Sequence, residues 1–374
     1  MKLHQLFEME RWLSTWENRV EYNLSETGVH PLRVSELFDG AAAERLDRPL
    51  EYIQANGTDD LRKTIASLYP GADMDNVLVT NGSSEANFLA TWLFADRQVE
   101  VVVMLPNFMQ IWGLAKNLQA NLKPFWLREQ DSEWKPDLSK LKQVVSRRTK
   151  LIVVCNPNNP TGAVMREDAV DEICAIARKV GAWILADEVY QGSELDGRLT
   201  PSFWGRYEKV IVVNGLSKAY ALPGLRIGWI ISTKKIAGKL WAYHDYTTLC
   251  HPALSDYMAI VALQPETRKK ILTRNRQILE TNLPIFRNWI EDHRENFSVQ
   301  QPQATAMAYV KYNLKINSSK FADRLMREKS VLVAPGDHFG MDKYLRIGYG
   351  TPKQYLRAGL SRFNEFLETI REQH

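Results

Sequence analysis

The chain has 374 residues, of which 45% are hydrophobic and 25% are charged, as in ordinary folded proteins. Its 48 basic and 44 acidic residues leave a formal net charge of +4 without a strongly basic segment, which argues against a nucleic-acid-binding protein. The three cysteines, Cys155, Cys174 and Cys250, form neither a CxxC pair nor a metal-ligand spacing, which argues against a disulfide-stabilised or metal-binding protein.

The N-terminal segment (M-K-L-H-Q-L-F-E-M-E-R-W) is charged and lacks an apolar signal core. The longest apolar runs, such as Val101–Leu105, are far too short to span a bilayer. We therefore expect a soluble, cytoplasmic protein without membrane or nucleic-acid partners. The length exceeds that of most single hydrophobic cores and predicts two domains.

Short apolar, β-branched runs alternate with amphipathic segments between residues 46 and 265. The apolar runs predict six buried strands: Val77–Thr80, Val99–Leu105, Leu151–Cys155, Trp183–Ala186, Val210–Val213 and Ile227–Ile231. The segments between them predict four helices: Asp60–Leu68, Ser84–Phe94, Phe108–Asn117 and Asp168–Val180. The alternation predicts an α/β fold in which residues 46–265 form a large domain, with a mostly parallel sheet between helices.

The pattern changes after residue 265. Helical spacing runs from Pro265 to Glu295, followed by strand-like segments at Ala306–Tyr312 and Val331–Ala334 and a last helix at Lys353–Arg371. These elements predict a smaller α+β domain over residues 266–374. Residues 1–45 are predicted to form an N-terminal arm and the first part of that small domain.

The segment N-G-L-S-K-A-Y-A-L-P-G-L-R-I-G-W (Asn214–Trp229) places Ser217 and Lys218 in a turn after a predicted strand. Ligands bind at the carboxyl ends of strands in open α/β sheets. A single lysine in a loop is more often a solvated surface charge. Arg226, however, stands between Leu225 and Ile227 at the start of a predicted buried strand, where it needs an anionic partner.

Two further motifs follow predicted strands. D-E-V-Y begins with Asp187, whose carboxylate either caps the next turn or has a function, and ends with Tyr190, which in most proteins is simply a core residue. C-N-P-N-N-P-T-G (Cys155–Gly162) contains two Asn-Pro steps, which predict an irregular extended loop. A simple turn into the next helix explains the prolines but not the repeated asparagine.

T-N-G-S-S-E-A-N (Thr80–Asn87) lies between a predicted strand and a predicted helix. Gly82 permits a close backbone approach, and Ser83 and Ser84 place hydroxyl and N–H groups at the helix N-terminus, where anions bind. A serine there is also an ordinary helix N-cap.

In this order and spacing, N-P-x-N-P-T-G, D-E-x-Y, S-K and R-I-G resemble the motifs of the class I/II aminotransferases of fold type I, the aspartate aminotransferase superfamily, which depend on pyridoxal 5′-phosphate (PLP). Tyr52–Arg62 and Tyr344–Gly350 resemble two further motifs of that family. The resemblance covers nearly the whole chain.

The resemblance implies a role for each matching residue. Lys218 would carry PLP as a Schiff base and move the substrate's α-proton. Asp187 would pair with the pyridine nitrogen, and Tyr190 and Asn159 would hydrogen-bond the phenolic oxygen. Phe108 would stack on the cofactor ring, and Tyr52 would reach the phosphate of the neighbouring subunit in a homodimer. The phosphate would be held by Ser83, Ser84, Ser217 and Arg226.

The substrate would be bound by Arg346, whose guanidinium would hold its α-carboxylate, and by Gly28 and Asn159. Two departures from the family pattern stand out. The position three residues before Lys218, often serine, is Gly215, so one phosphate contact is expected to be missing. The family's P-G-S-x-F-G loop reads P-G-D-H-F-G here, which places Asp337 and His338 near the expected substrate mouth.

The resemblance thus implies an aminotransferase of amino-acid metabolism that transfers the amino group of an L-amino acid to a 2-oxo acid. The alternative is a PLP-dependent lyase or cyclase acting at Cβ or Cγ, similar to capreomycidine synthase, because the same residues stabilise the α-carbanion in both cases. A non-enzymatic regulator built on this fold would carry a DNA-binding module, and no basic helix-turn-helix is visible. The sequence does not identify the amino-acid substrate.

Overall fold

The structure is a computed structural model that describes residues 5–38, 44 and 46–371. The described helices are, in chain order, α1 (Glu8–Trp16), α2 (Val34–Leu37), α3 (Asp59–Ala66), α4 (Ser83–Phe94), α5 (Gln110–Asn117), α6 (Leu138–Val144), α7 (Glu167–Val180), α8 (Lys234–His244), α9 (Ala253–Leu263), α10 (Pro265–Asp292), α11 (Ser318–Lys329) and α12 (Lys353–Arg371). None of these described helices is long and apolar enough to cross a membrane.

The described strands form three sheets. They are β1 (Tyr22–Asn23), β2 (Val77–Thr80), β3 (Glu100–Leu105), β4 (Asn121–Gln130), β5 (Glu133–Pro136), β6 (Thr149–Cys155), β7 (Trp183–Asp187), β8 (Val210–Gly215), β9 (Gly228–Ile231), β10 (Phe297–Val299), β11 (Met307–Tyr312), β12 (Val331–Leu332), β13 (Ala334–Pro335) and β14 (Tyr344–Gly348). The six strands predicted in the large domain are all present, with ends shifted by at most two residues.

The largest sheet has eight strands in the order β2-β9-β8-β7-β6-β3-β4-β5. Strands β8, β7, β6, β3 and β4 are parallel to their neighbours in this series, whereas β9 is antiparallel to both β2 and β8. A hairpin adds β5 at the edge. The mostly parallel α/β fold predicted from the sequence is confirmed.

Both faces of this sheet are buried, because alternate residues of each strand enter different cores. In β6, Ile152 and Val154 belong to one hydrophobic cluster, and Leu151 and Val153 belong to another. The same division holds along β3, β7 and β8. This burial on two sides explains why the strands are continuous apolar runs rather than alternating ones.

The chain directions bring several strand ends to one edge of the sheet. Because β2 and β8 are both antiparallel to β9, they run in the same direction as β7, β6 and β3. Their carboxyl ends therefore share an edge with the start of β9. The residues at these ends are Thr80, Gly215, Asp187, Cys155 and Leu105. The first four belong to the sequence motifs, and Leu105 is followed by Phe108.

A second sheet of four antiparallel strands has the order β10-β11-β14-β13. Its core joins side chains of three helices, represented by Phe286 of α10, Phe321 of α11 and Phe363 of α12. The strand-like segment predicted at Val331–Ala334 does form β-structure, but as two short strands rather than one. Val331 and Leu332 pair with β1, while Ala334 and Pro335 pair with β14, so this segment divides between two partners.

Helix α10 connects the two cores, since Ile271 near its start belongs to the core of the large sheet and Leu279, Leu283 and Phe286 belong to that of the small sheet. The helix ends at Asp292 rather than at Glu295. The domain division into 1–45, 46–265 and 266–374 remains a proposal, which this change of core along α10 supports. Residues 1–4, 39–43 and 45 of the proposed arm lie outside the described residues.

Candidate active site

A cavity of about 210 Å³ opens where the strand ends meet. Ten of the twelve residues predicted for the site line it: Ser83, Ser84, Phe108, Asn159, Asp187, Tyr190, Ser217, Lys218, Arg226 and Arg346. The two others, Gly28 and Tyr52, lie outside the lining. A single cavity thus gathers residues from sequence positions 83 to 346.

Lys218 lies in the turn after β8, close to the N-terminal segment. Its side chain is 30% exposed, and its Nζ lies 4.0 Å from Oε2 of Glu26. The turn is fixed by backbone hydrogen bonds, one of which runs from the N–H of Ala221 to the carbonyl of Lys218. Gly28 lies against this turn, since a Cβ at Gly28 would lie 3.4 Å from the Lys218 carbonyl oxygen. Gly28 therefore packs beside the lysine rather than facing the cavity.

Asp187, the last residue of β7, is a buried carboxylate. Asn87 of α4 donates from Nδ2 to its Oδ2 at 2.9 Å, and the backbone N–H of Val189 donates to its Oδ1 at 3.2 Å. Burial raises the pKa of Asp187 above its ordinary value. No salt bridge to Asp187 is present among the described residues, so the carboxylate faces the cavity without a cationic partner in contact.

Tyr190, Asn159 and Arg346 form a buried chain of hydrogen bonds. Asn159 donates from Nδ2 to the Tyr190 hydroxyl at 3.2 Å, and it accepts on Oδ1 from Nη1 of Arg346 at 3.0 Å. The Tyr190 hydroxyl in turn donates to Oγ1 of Thr27 at 2.9 Å. Burial raises the pKa of Tyr190, so the phenol is in its neutral form at neutral pH.

Arg346 is only 2% exposed. Its Nη2 donates to the carbonyl of Ser25 at 2.9 Å, and its guanidinium lies 5.3 Å from the ring centre of Phe339. Its Nε has no hydrogen-bond partner in the described part of the chain. No carboxylate among the described residues pairs with this guanidinium, and burial lowers its pKa. A buried arginine with a free donor and no counter-ion among the described residues can accept an anion that comes from outside.

Asparagine occurs repeatedly in the loop after β6 for two different reasons. Asn156 accepts from the N–H of Met165 at 2.8 Å, and Asn158 accepts from the hydroxyl of Thr161 at 2.7 Å, so both hold the loop in place. Asn159 alone reaches Tyr190 and Arg346. The simple-turn interpretation is therefore correct for the first two asparagines and incomplete for the third.

The N-terminus of α4 and Arg226 form the cationic end of the cavity. Ser83 and Ser84 open the helix, whose first N–H groups have no partners within the helix. Gly82 has φ +87°, and a Cβ there would lie 2.5 Å from Nη2 of Arg226, so glycine lets the guanidinium approach. These groups together form a site for an anion such as phosphate.

The prediction that Arg226 heads a buried strand was wrong. Arg226 is exposed, has a left-handed backbone (φ +52°) and ends the short 3-10 helix Pro223–Leu225, and β9 begins only at Gly228. Its Nη1 donates to the carbonyl of Pro223 at 3.1 Å. The left-handed turn directs the side chain to the cavity instead of into the sheet.

Gly215 leaves no space for the serine that is common in the resembling family. A Cβ at this position would lie 2.9 Å from the carbonyl oxygen of Ile227 and 3.1 Å from Cα of Gly228. The close contact between β8 and β9 thus requires glycine.

Two aromatic residues differ in their relation to the cavity. Phe108 lines it and packs edge-to-face against Phe7, with ring centres 5.1 Å apart. Tyr52 is 86% exposed and lies outside the cavity of its own chain.

Asp337 and His338 were predicted near the substrate mouth, and they do not belong to the cavity wall itself. Asp337 accepts on Oδ2 from the N–H of Ser319 at 3.3 Å, and Nε2 of His338 lies 3.3 Å from the Ser319 hydroxyl. Both residues lie in the short 3-10 helix Gly336–Phe339, which packs on the N-terminus of α11.

Sequence reasoning missed several residues of the cavity: Met9, Glu10, Leu13, Glu17, Ser25, Glu26, Thr27, Asn87, Cys155, Val189 and Pro223. Helix α1 was not predicted, although the four-residue spacing of its two buried positions, Met9 and Leu13, is a helical signal. Asn87 belongs to a recognised motif, but nothing in the sequence shows that it reaches Asp187.

Comparison with known proteins adds independent information. Residues 41–363 match the family model "Aminotransferase class I and II". A crystal structure of a PLP-dependent aminotransferase from Streptococcus suis 89-1591 superposes with a TM-score of 0.91 at 34% identity and covers 99% of both chains.

Two protein relatives carry different activities. Capreomycidine synthase of Streptomyces vinaceus is 29% identical over 366 residues, which is 96% of this chain and 93% of the relative. The (5-formylfuran-3-yl)methyl phosphate transaminase of Methanocaldococcus jannaschii is 30% identical over 331 residues, 84% of this chain and 83% of the relative.

Proposed function

Because the chain belongs to the class I and II aminotransferases, a PLP-dependent family, we propose that it binds PLP through Lys218 and transfers the amino group of an L-amino acid to a 2-oxo acid. The observation that carries the proposal is the presence of Lys218, Asp187 and Arg346 in one cavity, with no carboxylate of the described chain paired to Arg346. The cavity thus offers a nucleophile, a buried carboxylate and an unused carboxylate-binding group.

The described residues fit PLP in charge and in hydrogen-bonding capacity. The free N–H groups of Ser83 and Ser84, together with Arg226, suit a phosphate. Asp187 suits a protonated ring nitrogen, because a buried carboxylate without a cationic partner gains most from one. The Tyr190 hydroxyl suits the ring's phenolic oxygen, and Phe108 offers an aromatic face.

When bound, PLP supplies an electron-withdrawing ring that accepts the electron pair left at the substrate's α-carbon. Asp187 keeps the ring nitrogen protonated, and Asn87 holds the Asp187 carboxylate in position. Lys218 would hold the cofactor covalently through Nζ until the substrate's amino group displaces it, and the freed Nζ would then be the base that accepts the proton from the α-carbon.

Arg346 is proposed to bind the substrate's α-carboxylate. Its Nε is free, and a guanidinium can hold a carboxylate with two parallel hydrogen bonds. The contact with Asn159 fixes its orientation before the substrate arrives. Because the α-carboxylate is common to all amino acids, its contact with Arg346 would orient the α-carbon without selecting the side chain.

A PLP-dependent lyase or cyclase acting at Cβ or Cγ is the second candidate. It is favoured by the 29% identity with capreomycidine synthase over nearly the whole chain. The two candidates share all the residues above, because both reactions begin with the loss of the α-proton.

Two experiments test the proposal. Borohydride reduction of the purified protein should attach the cofactor irreversibly to Lys218, and peptide mapping that finds it on another lysine would contradict the assignment. In the second experiment, which uses unreduced protein, an amino acid substrate should remove the absorbance of the lysine-bound cofactor, and a 2-oxo acid should restore it. Release of ammonia, or of a cyclised amino acid, without any 2-oxo acid would instead support the second candidate.

A further inference from the structure

Three carboxylates line the cavity outside the proposed cofactor contacts. Glu10 and Glu17 belong to α1 and its C-terminal end, and Glu26 belongs to the loop that also supplies Ser25 and Thr27. We call these three residues the acidic rim. Partial burial raises the pKa of Glu17, and the negative charges of Glu26 and Glu10 raise it further. This is expected for carboxylates that face a common space.

Apolar side chains accompany the acidic rim on the same helix. Met9 and Leu13 also line the cavity, and with Glu10 and Glu17 they form one face of α1, since residues three and four apart lie side by side. Sδ of Met9 lies 3.7 Å from Nη1 of Arg346, so this face begins beside the proposed carboxylate site. Glu10 directly follows Met9 in the sequence, so apolar and acidic side chains lie next to each other on this wall.

The cations that line the cavity already have assigned partners under the proposed function. Lys218 is assigned to the cofactor, Arg226 to the cofactor's phosphate and Arg346 to the substrate's α-carboxylate. Arg346, 2% exposed and with Nε unpartnered, independently indicates that a ligand carboxylate belongs next to this wall. Lys218 lies 4.0 Å from Glu26 of the rim, but the proposed function engages Lys218 with the cofactor. No fourth cation among the described cavity residues then remains for the acidic rim, or for a second carboxylate on the substrate.

Building on the proposed function, we propose that the substrate side chain is an aliphatic stem ending in a cation, an ω-amino or guanidino group, which the acidic rim binds. The stem packs against Met9 and Leu13, and the terminal cation reaches Glu10, Glu17 and Glu26. Basic side chains combine such an apolar stem with a charged end. Dicarboxylic substrates are disfavoured, because their distal carboxylate would face like charges.

The test uses pairs of amino acids that differ in charge but hardly in shape. L-Arginine is compared with L-citrulline, and L-lysine with L-norleucine. Binding is measured by calorimetry on borohydride-reduced protein, which cannot turn over, and by titration of the cofactor absorbance in unreduced protein. We expect arginine to bind about 10-fold more tightly than citrulline, a preference that falls with added salt because the rim is partly exposed.

The Glu10→Gln, Glu17→Gln double variant and the Glu26→Gln variant should bring the arginine-to-citrulline ratio close to one. The Glu8→Gln variant on the same helix is the matched control, because Glu8 is exposed and does not line the cavity, and it should keep the ratio. Equal affinity of arginine and citrulline for the unchanged protein would overturn the inference while leaving the proposed function in place. A preference for arginine over citrulline that persists in both the Glu10→Gln, Glu17→Gln double variant and the Glu26→Gln variant would also overturn the inference.

Failure of the proposed function itself gives a different result. In that case none of the amino acids, whether cationic, neutral or dicarboxylic (L-aspartate and L-glutamate), changes the cofactor absorbance at any concentration, whereas a change with the dicarboxylic acids alone would overturn only the inference. The two failures are therefore distinguishable in the same titration.

Discussion

Arg346 and Asn159 are 187 residues apart in the sequence, yet Nη1 of the arginine donates to Oδ1 of the asparagine at 3.0 Å. Asn159 in turn donates a hydrogen bond from Nδ2 to the hydroxyl of Tyr190. The proposed carboxylate-binding group and the proposed partner of the cofactor's phenolic oxygen are thus held by one amide. A substrate that engages Arg346 acts on the same network that orients Tyr190.

The Arg346→Lys variant should weaken the binding of all amino-acid substrates together, by on the order of 2–3 kcal/mol. Lysine keeps the charge but loses the two parallel donors and the fixed plane of the guanidinium. Half-saturation of the cofactor absorbance change for several amino acids measures the effect. Cofactor retention and thermal melting serve as controls, and a melting temperature that collapses while affinity holds would show that Arg346 is structural.

The Asp187→Ala and Asp187→Asn variants should both lose turnover, by at least about 100-fold. Asparagine preserves the shape and can still hydrogen-bond Asn87, but it carries no charge to keep the ring nitrogen protonated. Initial rates with an amino acid that changes the cofactor absorbance of the unchanged protein, together with melting curves, check the prediction. Near-normal turnover of the Asp187→Asn variant would mean that Asp187 serves only to cap the turn.

The Glu188→Gln variant should change how stability depends on pH. Burial raises the pKa of Glu188 to about 8. Its Oε1 accepts from the N–H of Phe203 at 2.8 Å, and its Oε2 has no hydrogen-bond partner among the residues that the structure describes. The folded chain keeps this proton between about pH 4.5 and 8, whereas the unfolded chain loses it. The contribution to stability is thus fully present below the unfolded pKa and is lost as the pH rises through about 8.

Glutamine cannot ionise, so the free energy of unfolding of the variant should rise relative to that of the unchanged protein, by at least about 1 kcal/mol between pH 5 and pH 8. Denaturant unfolding of both proteins at three pH values measures this difference. A difference that is constant across the range would show that Glu188 does not titrate in this window. Glu208→Gln, which changes a surface carboxylate, is the control.

We expect a homodimer in which Tyr52 reaches the phosphate of the neighbouring subunit. Tyr52 is 86% exposed on its own chain, together with Leu50 at 82%, and large exposed side chains of this kind are typical of an interface. Mixing Tyr52→Phe and Lys218→Ala variants should produce hybrid dimers whose activity differs from the average of the two parents. Sedimentation of a fully active monomer would contradict the expectation.

The sequence predicted most strands of the large sheet closely, because each is an apolar run buried on both faces and bounded by turn residues. β2 was predicted at Val77–Thr80, where it lies in the structure. Nine of the ten predicted residues that meet in the cavity end or follow these strands, and the tenth, Arg346, comes from β14 of the small sheet. Order along the chain and the common direction of the strands account for this agreement.

The rest depends on contacts between segments far apart in the sequence. β1 and β12 are two residues long each and exist only as partners, so neither carries a periodicity of its own. α1 is mostly polar, and its role in the cavity depends on where the first residues fold back. Arg226 was misassigned because a left-handed residue (φ +52°) interrupts an otherwise apolar run, and the sequence L-R-I does not reveal that turn.

The pairing of β1 with β12 has a consequence for the order of events during synthesis. Asn23 pairs with Leu332, 309 residues later, so the ribosome needs on the order of 15–60 s between making the two strands. During that interval the strands of the large sheet, with Lys218 and the N-terminus of α4, can already assemble, while α1 and its acidic residues have no small sheet to dock on. The cavity is therefore open on that side in the nascent chain, and its last wall is added when the carboxyl-terminal third emerges.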